Sequence, residues 1–105
     1  MASDREYLDF ILDQLSDLDD ISWRGMMGEF IIYYRGKVVG GIYDNRFLVK
    51  PTESAMAMMP ESYREIPYDG AKEMLLVDRV ENRVFLRELL EAMVEELPDR
   101  KKKKK

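Results

Sequence analysis

The 105-residue sequence contains no cysteine and no histidine. Without cysteine there is no disulfide, no thiolate nucleophile and no cysteine-based metal site. Without histidine the chain lacks the usual general base near neutral pH and the commonest ligand of transition metals. Serine–histidine–aspartate and cysteine–histidine catalysis are therefore excluded. We expect a protein that is not an enzyme and that uses neither a metal nor a cofactor.

The sequence also lacks a long apolar run. No segment approaches the roughly 20 apolar residues that a membrane-spanning helix needs. The acidic residues Asp4, Glu6 and Asp9 near the N-terminus are not typical of a secretory signal. The sequence therefore predicts a cytoplasmic protein that does not contact a membrane.

Positive charge is scarce outside the C-terminus. The formal net charge is -4, and the five lysines at 101–105 contribute +5, so the remaining residues carry -9. Because phosphate contacts need a positive field, we expect the folded body not to bind nucleic acid. We interpret residues 99–105 as a basic, disordered tail. Weak nucleic-acid binding through that lysine tail is one alternative function.

Two amphipathic helices are predicted at the two ends of the chain. Residues 4–18 repeat apolar side chains at steps of three and four, and Ser3 with Glu6 has the spacing of a capping box. Residues 83–97 carry a second apolar stripe. Both helices are expected to bury one face.

Short β-strands are predicted between these helices. Aromatic and β-branched residues favour strands, which we place at 22–27, 30–34, 38–43 and 47–50. The turns at 35–37 and 44–46 are short, so neighbouring strands are expected to be antiparallel. After them we predict a short helix at 53–58 with Thr52 as its N-cap, a loop at 60–70 and a last strand at 74–77.

This order predicts the α+β class: an antiparallel β-meander sheet flanked by an N-terminal and a C-terminal helix, as one domain over residues 1–98. The sheet is apolar on both faces, because Ile31 and Tyr33 point away from Ile32 and Tyr34. A helix of the same chain or a partner must therefore cover the second face. The pair Gly40–Gly41 indicates a bend, a bulge or a close backbone approach.

Methionine is dense in the predicted short helix. One short helix cannot bury three methionines on one side, so these side chains are candidates for a flexible interaction surface. The alternative is that they fill the core beneath the sheet. Two tyrosines and an arginine of the sheet complete the candidate set. The candidate interaction surface consists of Met56, Met58, Met59, Tyr33, Tyr43 and Arg46.

Several short motifs follow one another in a set order along the chain. They are Met26 and Gly28, the aromatic-rich strand to Tyr34, Gly36-Lys37-Val38, Asp44 with Arg46, Leu48-Val49-Lys50, Gly70-x-Lys72-x-Met74, and Leu86, Leu89 and Leu90. In this order, over residues 4–97, they resemble the N-terminal domain of the TfoX/Sxy competence regulators. The two-domain regulators carry a further helical domain after this one. Because the resemblance covers only their N-terminal domain, we expect a stand-alone N-terminal domain.

The resemblance implies an α+β fold similar to that of type III secretion chaperones, which often dimerise. We therefore expect a bacterial protein-interaction module that is a homodimer, has a further unknown protein partner and plays a regulatory role. The alternative is a small-ligand-binding module in which Gly40–Gly41 and the tyrosines line a pocket.

Overall fold

The computed structural model describes residues 3–98. The elements in chain order are α1 (Arg5–Gln14), β1 (Ile21–Met26), β2 (Glu29–Tyr34), β3 (Lys37–Ile42), β4 (Phe47–Val49), α2 (Glu53–Met58), β5 (Arg64–Glu65), β6 (Met74–Leu76) and α3 (Arg83–Val94). The strands form one six-stranded sheet in the order β1-β2-β3-β4-β6-β5. Every pair is antiparallel. The predicted α+β class with terminal helices is confirmed, while the predicted tail at 99–105 lies outside the described residues.

Two-residue turns build the meander from β1 to β4. Met27-Gly28, Arg35-Gly36 and Asp44-Asn45 connect successive strands, and each of these residues has a positive φ. Type I′ hairpin turns require positive φ at both central residues, and their twist matches that of the strands they join. The predicted turns at 35–37 and 44–46 are thus confirmed, and the predicted strand at 22–27 is β1.

All three helices pack on one face of the sheet, where the core lies. Strand alternation directs Ile32 and Tyr34 to this face, and both are buried there with Leu8 of α1 and Leu89 of α3. Arg83 joins α3 to α1 at the surface, with its Nη1 3.4 Å from an Asp13 carboxylate oxygen. Since Leu8 and Leu89 belong to the apolar repeats of residues 4–18 and 83–97, the sequence periodicity identified the inward-facing stripes of both terminal helices.

The terminal helices are shorter than predicted. α1 ends at Gln14 and α3 at Val94, whereas the apolar repeats continue to Leu18 and Leu97. Both leucines are nevertheless buried in the core. The apolar pattern thus records burial, which continues through the turns after each helix, rather than helical hydrogen bonding.

The predicted capping box of α1 is wrong. The N-cap is Asp4, and no side chain caps the helix. The Ser3 hydroxyl instead donates to Glu29 Oε1 at 2.5 Å and accepts the Asn45 backbone N–H at 3.0 Å. Glu6 therefore has no reciprocal role with Ser3, because the folded sheet offers Ser3 partners from two hairpin turns.

The predicted loop at 60–70 contains a strand. β5 has two residues and pairs with β6, with Arg64 opposite Leu75 and Glu65 opposite Met74. Two residues are too few to form a sequence pattern, so this strand is defined only by its pairing with β6. No helix within residues 3–98 has the length and apolar character needed to cross a membrane.

Candidate binding groove and edge strand

A groove lies on the face of the sheet opposite the helices. Its floor includes Met26, Ile31, Val38 and Met74, contributed by four different strands, and the segment 67–73 contributes to its wall. The cavity measures about 430 Å³, which falls within the range of roughly 300–1,000 Å³ typical of small-molecule pockets. Most of its surface is apolar. The second apolar face of the sheet is thus partly covered by a non-helical segment of the same chain.

Two tyrosines connect the segment 67–73 to the sheet. The rings of Tyr43 and Tyr68 lie 6.1 Å apart at an angle of 52°, a favourable tilted arrangement. Burial raises the pKa of the Tyr43 phenol above 10.0, and Tyr68, Glu29 and Tyr33 raise it further. Tyr43 is therefore a neutral hydroxyl at physiological pH and can donate a hydrogen bond into the groove.

Two lysines stand at the groove with no acidic partner. Lys50 and Lys72 both line it, and among residues 3–98 neither ammonium group has a hydrogen bond or an ion pair. The carboxylate of Glu73, which also lines the groove, lies 3.9 Å from Arg64 Nη1. The two ammonium groups therefore remain available to a bound anion.

The glycine pair in β3 allows the strands to approach closely. A Cβ at Gly40 would overlap the backbone oxygen of Leu48 and lie 2.8 Å from Val49 Cα. A Cβ at Gly41 would lie 2.7 Å from the Phe30 carbonyl oxygen. The register of β2 against β3 also shifts at Ile32 and Tyr33. Of the three expected alternatives, the close backbone approach is confirmed at both glycines, and the register shift lies next to Gly40, at Val39.

Strand β1 is a six-residue edge of the sheet. It pairs with β2 on one side in continuous register and, among the described residues, with no strand on the other. The Met27-Gly28 turn makes Met26 and Glu29 a hydrogen-bonded pair, and such pairs alternate along an antiparallel ladder. The backbone N–H and C=O groups of the alternate residues Ile21, Trp23 and Gly25 therefore point outward.

Large apolar side chains flank this edge. Met27 in the turn is 94% exposed, and Trp23 and Met26 are 37% and 38% exposed. Trp23 packs edge-on against Phe30 at 5.6 Å, with the Arg5 guanidinium 4.8 Å from its ring centroid. The edge thus combines backbone groups that pair with no strand among the described residues with exposed apolar side chains nearby.

The six residues of the predicted interaction surface do not come together. Met59 is a core residue with 5% exposure, and Met56 and Met58 are partly buried against the core. Alternation along the strands places Tyr33 and Tyr43 on the opposite face of the sheet, where both are buried. Met59 follows the last residue of α2 and is buried because α3 packs against α2. The apolar pattern of α2 by itself does not reveal this packing.

Arg46, the sixth predicted residue, is engaged within the chain. Its guanidinium forms an ion pair with Glu65, and its Nε donates to the Tyr43 carbonyl oxygen at 3.1 Å. These contacts connect the β3–β4 turn to the edge strand β5. Arg46 therefore joins two segments of the sheet through its side chain.

Residue patterns identified only part of the groove. The alternation that directs Ile31 away from Ile32 was a usable signal. Gly40, Tyr43 and Tyr68 of the predicted ligand pocket line the groove, whereas Gly41 is not among its lining residues. Lys50 and Lys72 were not recognised as a pair. Their common position arises only when the segment 67–73 folds back onto the sheet.

Carboxylates do not assemble into a metal site in the described part of the chain. Within residues 3–98 no group of three or more Asp or Glu side chains is arranged to hold a metal ion. The acidic residues near the β3–β4 turn are used otherwise: Glu29 Oε1 accepts the Asp44 backbone N–H at 3.2 Å, and Asp4 Oδ2 accepts from the Asn45 side chain at 3.2 Å.

Comparison with known proteins gives one clear relative. The chain is 34% identical over 105 residues to the "Uncharacterized 12.7 kDa protein in trpE 5'region" of Spirochaeta aurantia, across 99% of this chain and 91% of that protein. It belongs to the family of this spirochaete protein. Both chains align nearly from end to end, so the family shares the whole domain rather than one motif. No family model and no solved structure matches the chain.

Proposed function

We propose that this protein is a non-enzymatic interaction module, without a cofactor, that forms a homodimer through β1. The observation that carries the proposal is the open six-residue edge, in which Arg24 is the single charged residue. Natural sheet edges are usually protected by lysine, proline, bulges or a covering element. β1 contains neither lysine nor proline and pairs with β2 without a bulge.

A second copy of β1 is a suitable partner for this edge. In an antiparallel pair related by a two-fold axis at Trp23, the outward groups of Trp23 in one copy bond those of Trp23 in the other. Ile21 of each copy then lies opposite Gly25 of the second copy. The two six-stranded sheets join into one continuous sheet, and the apolar side chains around both edges lose contact with water.

We also propose a regulatory role, a protein partner and a location for this module. The resemblance to the TfoX/Sxy N-terminal domains supports a regulatory protein with a further protein partner, and the frequent dimerisation of chaperone-like folds supports the homodimer. The location that we propose for the module is cytoplasmic.

The dimer is tested by light scattering over a concentration series with two variants at Gly25. The backbone N–H of Gly25 points outward, and a Cβ added there meets no atom within 4 Å. Gly25→Pro removes that outward donor, whereas Gly25→Ala adds the same Cβ and keeps the donor. We expect the wild type and Gly25→Ala to dimerise with similar affinity, and Gly25→Pro to dimerise at least about tenfold more weakly.

Circular dichroism verifies that each variant is folded. A wild-type monomer at every concentration would refute the homodimer. A dimer that Gly25→Pro leaves intact would refute β1 as its interface.

A further inference from the structure

We propose that the groove on the open face of the sheet binds a small organic anion with an apolar body, namely a monocarboxylate with an aryl or acyl chain. The site consists of the apolar floor from the strands, the wall formed by the segment 67–73, and the ammonium groups of Lys50 and Lys72. It shares Met26 with the proposed β1 edge, but its lysines, its wall and Met74 lie on other segments, so it does not depend on dimerisation.

The floor of the groove favours a ligand with an apolar body. Ile31, Val38 and Met74 are only partly buried in the free protein, although they are large apolar side chains on a sheet. Covering them removes apolar surface from water, which favours an apolar occupant. The volume of about 430 Å³ suits a small molecule and is too confined for a folded partner.

The two lysines favour a ligand with a negative charge. Residues 1–100 carry nine more acidic than basic side chains, yet neither Lys50 nor Lys72 has an acidic partner among residues 3–98. Glu73, whose carboxylate faces Arg64, leaves the groove with one more positive than negative side chain among those that line it. That balance matches a single carboxylate, which can accept charge-assisted hydrogen bonds from the lysines.

The tyrosines add neutral donors to this arrangement. Tyr43 and Tyr68 line the groove, and a phenol hydroxyl can donate a hydrogen bond to a carboxylate oxygen. Tyr68 lies on the segment 67–73, so a ligand that contacts both rings also holds that segment against the sheet. Binding is therefore expected to stabilise the folded protein, by an amount that rises with the logarithm of ligand concentration above the Kd.

The test uses ¹³C-methyl-methionine NMR with a matched pair of probes, 4-phenylbutyrate and 4-phenylbutan-1-ol. Met26 and Met74 line the groove, whereas Met56 and Met93 lie on the helix side and serve as internal references. We expect 4-phenylbutyrate to shift the Met26 and Met74 signals in a saturable manner. We expect the neutral alcohol to bind at least about tenfold more weakly, because it lacks the charge.

Variants connect the binding to named side chains. Lys50→Gln and Lys72→Gln are each expected to weaken 4-phenylbutyrate by several-fold and to leave the alcohol unchanged. Arg87→Gln on α3 makes the same change in net charge away from the groove and is expected to change neither probe. Ala71→Phe fills the groove from its wall and is expected to abolish the shift of Met74.

Met74 also separates this proposal from dimerisation, since it lies on β6 and not on β1. A Gly25→Pro variant that still binds 4-phenylbutyrate supports the groove even if the dimer is absent. Equal affinity for the two probes, or shifts confined to Met26 and Met27 with none at Met74, would overturn the proposal. So would a folded protein in which neither probe shifts Met74 at any concentration.

Discussion

Glu96, which follows the end of α3, holds Ser54 in the first turn of α2 with both carboxylate oxygens. Its Oε1 accepts the Ser54 backbone N–H at 3.0 Å, and its Oε2 accepts the Ser54 hydroxyl at 2.5 Å. The first N–H groups of a helix have no partner within the helix, and negative charge is favourable there. Glu96 therefore connects the two helices by supplying α2 with an acceptor from outside its own segment.

We expect Glu96→Gln to lower the melting temperature more at pH 7 than at pH 3. Hydrogen bonds from the Ser54 side chain and backbone hold the pKa of Glu96 below the 4.5 of an unperturbed glutamate. A carboxyl group with a lower pKa in the folded chain stabilises the fold above its unfolded pKa. This contribution is lost as the pH falls through the folded pKa.

Thermal unfolding followed by circular dichroism at several pH values checks this expectation. Glu91→Gln, at an exposed position of α3, is the control and is expected to have no such pH-dependent difference. A difference between Glu96→Gln and the wild type that persists unchanged at pH 3 would contradict it.

Gly40→Ala is expected to be far more damaging than Gly25→Ala. The new Cβ at Gly40 overlaps backbone atoms of β4, which cannot rotate away, whereas the Cβ at Gly25 meets nothing within 4 Å. We expect Gly40→Ala to reduce the free energy of unfolding by about 3 kcal/mol or more. Gly25→Ala is expected to leave it unchanged or to raise it by up to about 1 kcal/mol. Urea unfolding measures both, and similar values for the two would show that the strands separate easily.

Ser3 is expected to couple energetically to Glu29 and not to Glu6. The Ser3 hydroxyl donates to Glu29 Oε1 at 2.5 Å, while the spacing in the sequence suggested Glu6. In double-mutant cycles with Ser3→Ala, we expect a coupling of about 1 kcal/mol with Glu29→Gln. The cycle with Glu6→Gln is expected to give a coupling near zero. A larger coupling with Glu6 would restore the capping box.

Asn82 is expected to stabilise the start of α3 through its side-chain oxygen. Oδ1 of Asn82 accepts the Phe85 backbone N–H at 3.0 Å, as an N-cap does. We expect Asn82→Ala to cost about 1 kcal/mol of unfolding free energy and Asn82→Asp to cost little, since aspartate keeps the acceptor. Denaturant unfolding of the three proteins tests this, and equal losses in both variants would show that the amide nitrogen is what matters.

Local sequence signals predicted much of the fold. The two-residue turns were visible as Gly36 and Asn45 between apolar segments, and Thr52 caps α2 through Ala55 as expected. These features depend on residues close together in the chain. The helix ends were predicted too late because buried leucines such as Leu18 continue the pattern into turns.

The candidate site was less accessible from the sequence. The expectation of a covered second face was sound in part, but the covering element is the segment 67–73 and not a helix. Met59 was a candidate for the interaction surface, with core packing as the alternative, and packing between α2 and α3 buries it. Lys50 and Lys72 are separated by 21 intervening positions and carry no joint motif, so only the folded chain places them at one groove.

The sequence by itself determined the class and the element order of this protein. Apolar periodicity, strand-forming residues and turn dipeptides act within a few residues of one another, and each favours the same α+β arrangement. Only the tertiary structure decided which side chains come together: Ser3 contacts Glu29, Ser54 contacts Glu96, and the two lysines line the same groove. The physical reason is that these contacts join residues distant in the chain, whose proximity depends on how the sheet, the helices and the segment 67–73 pack together.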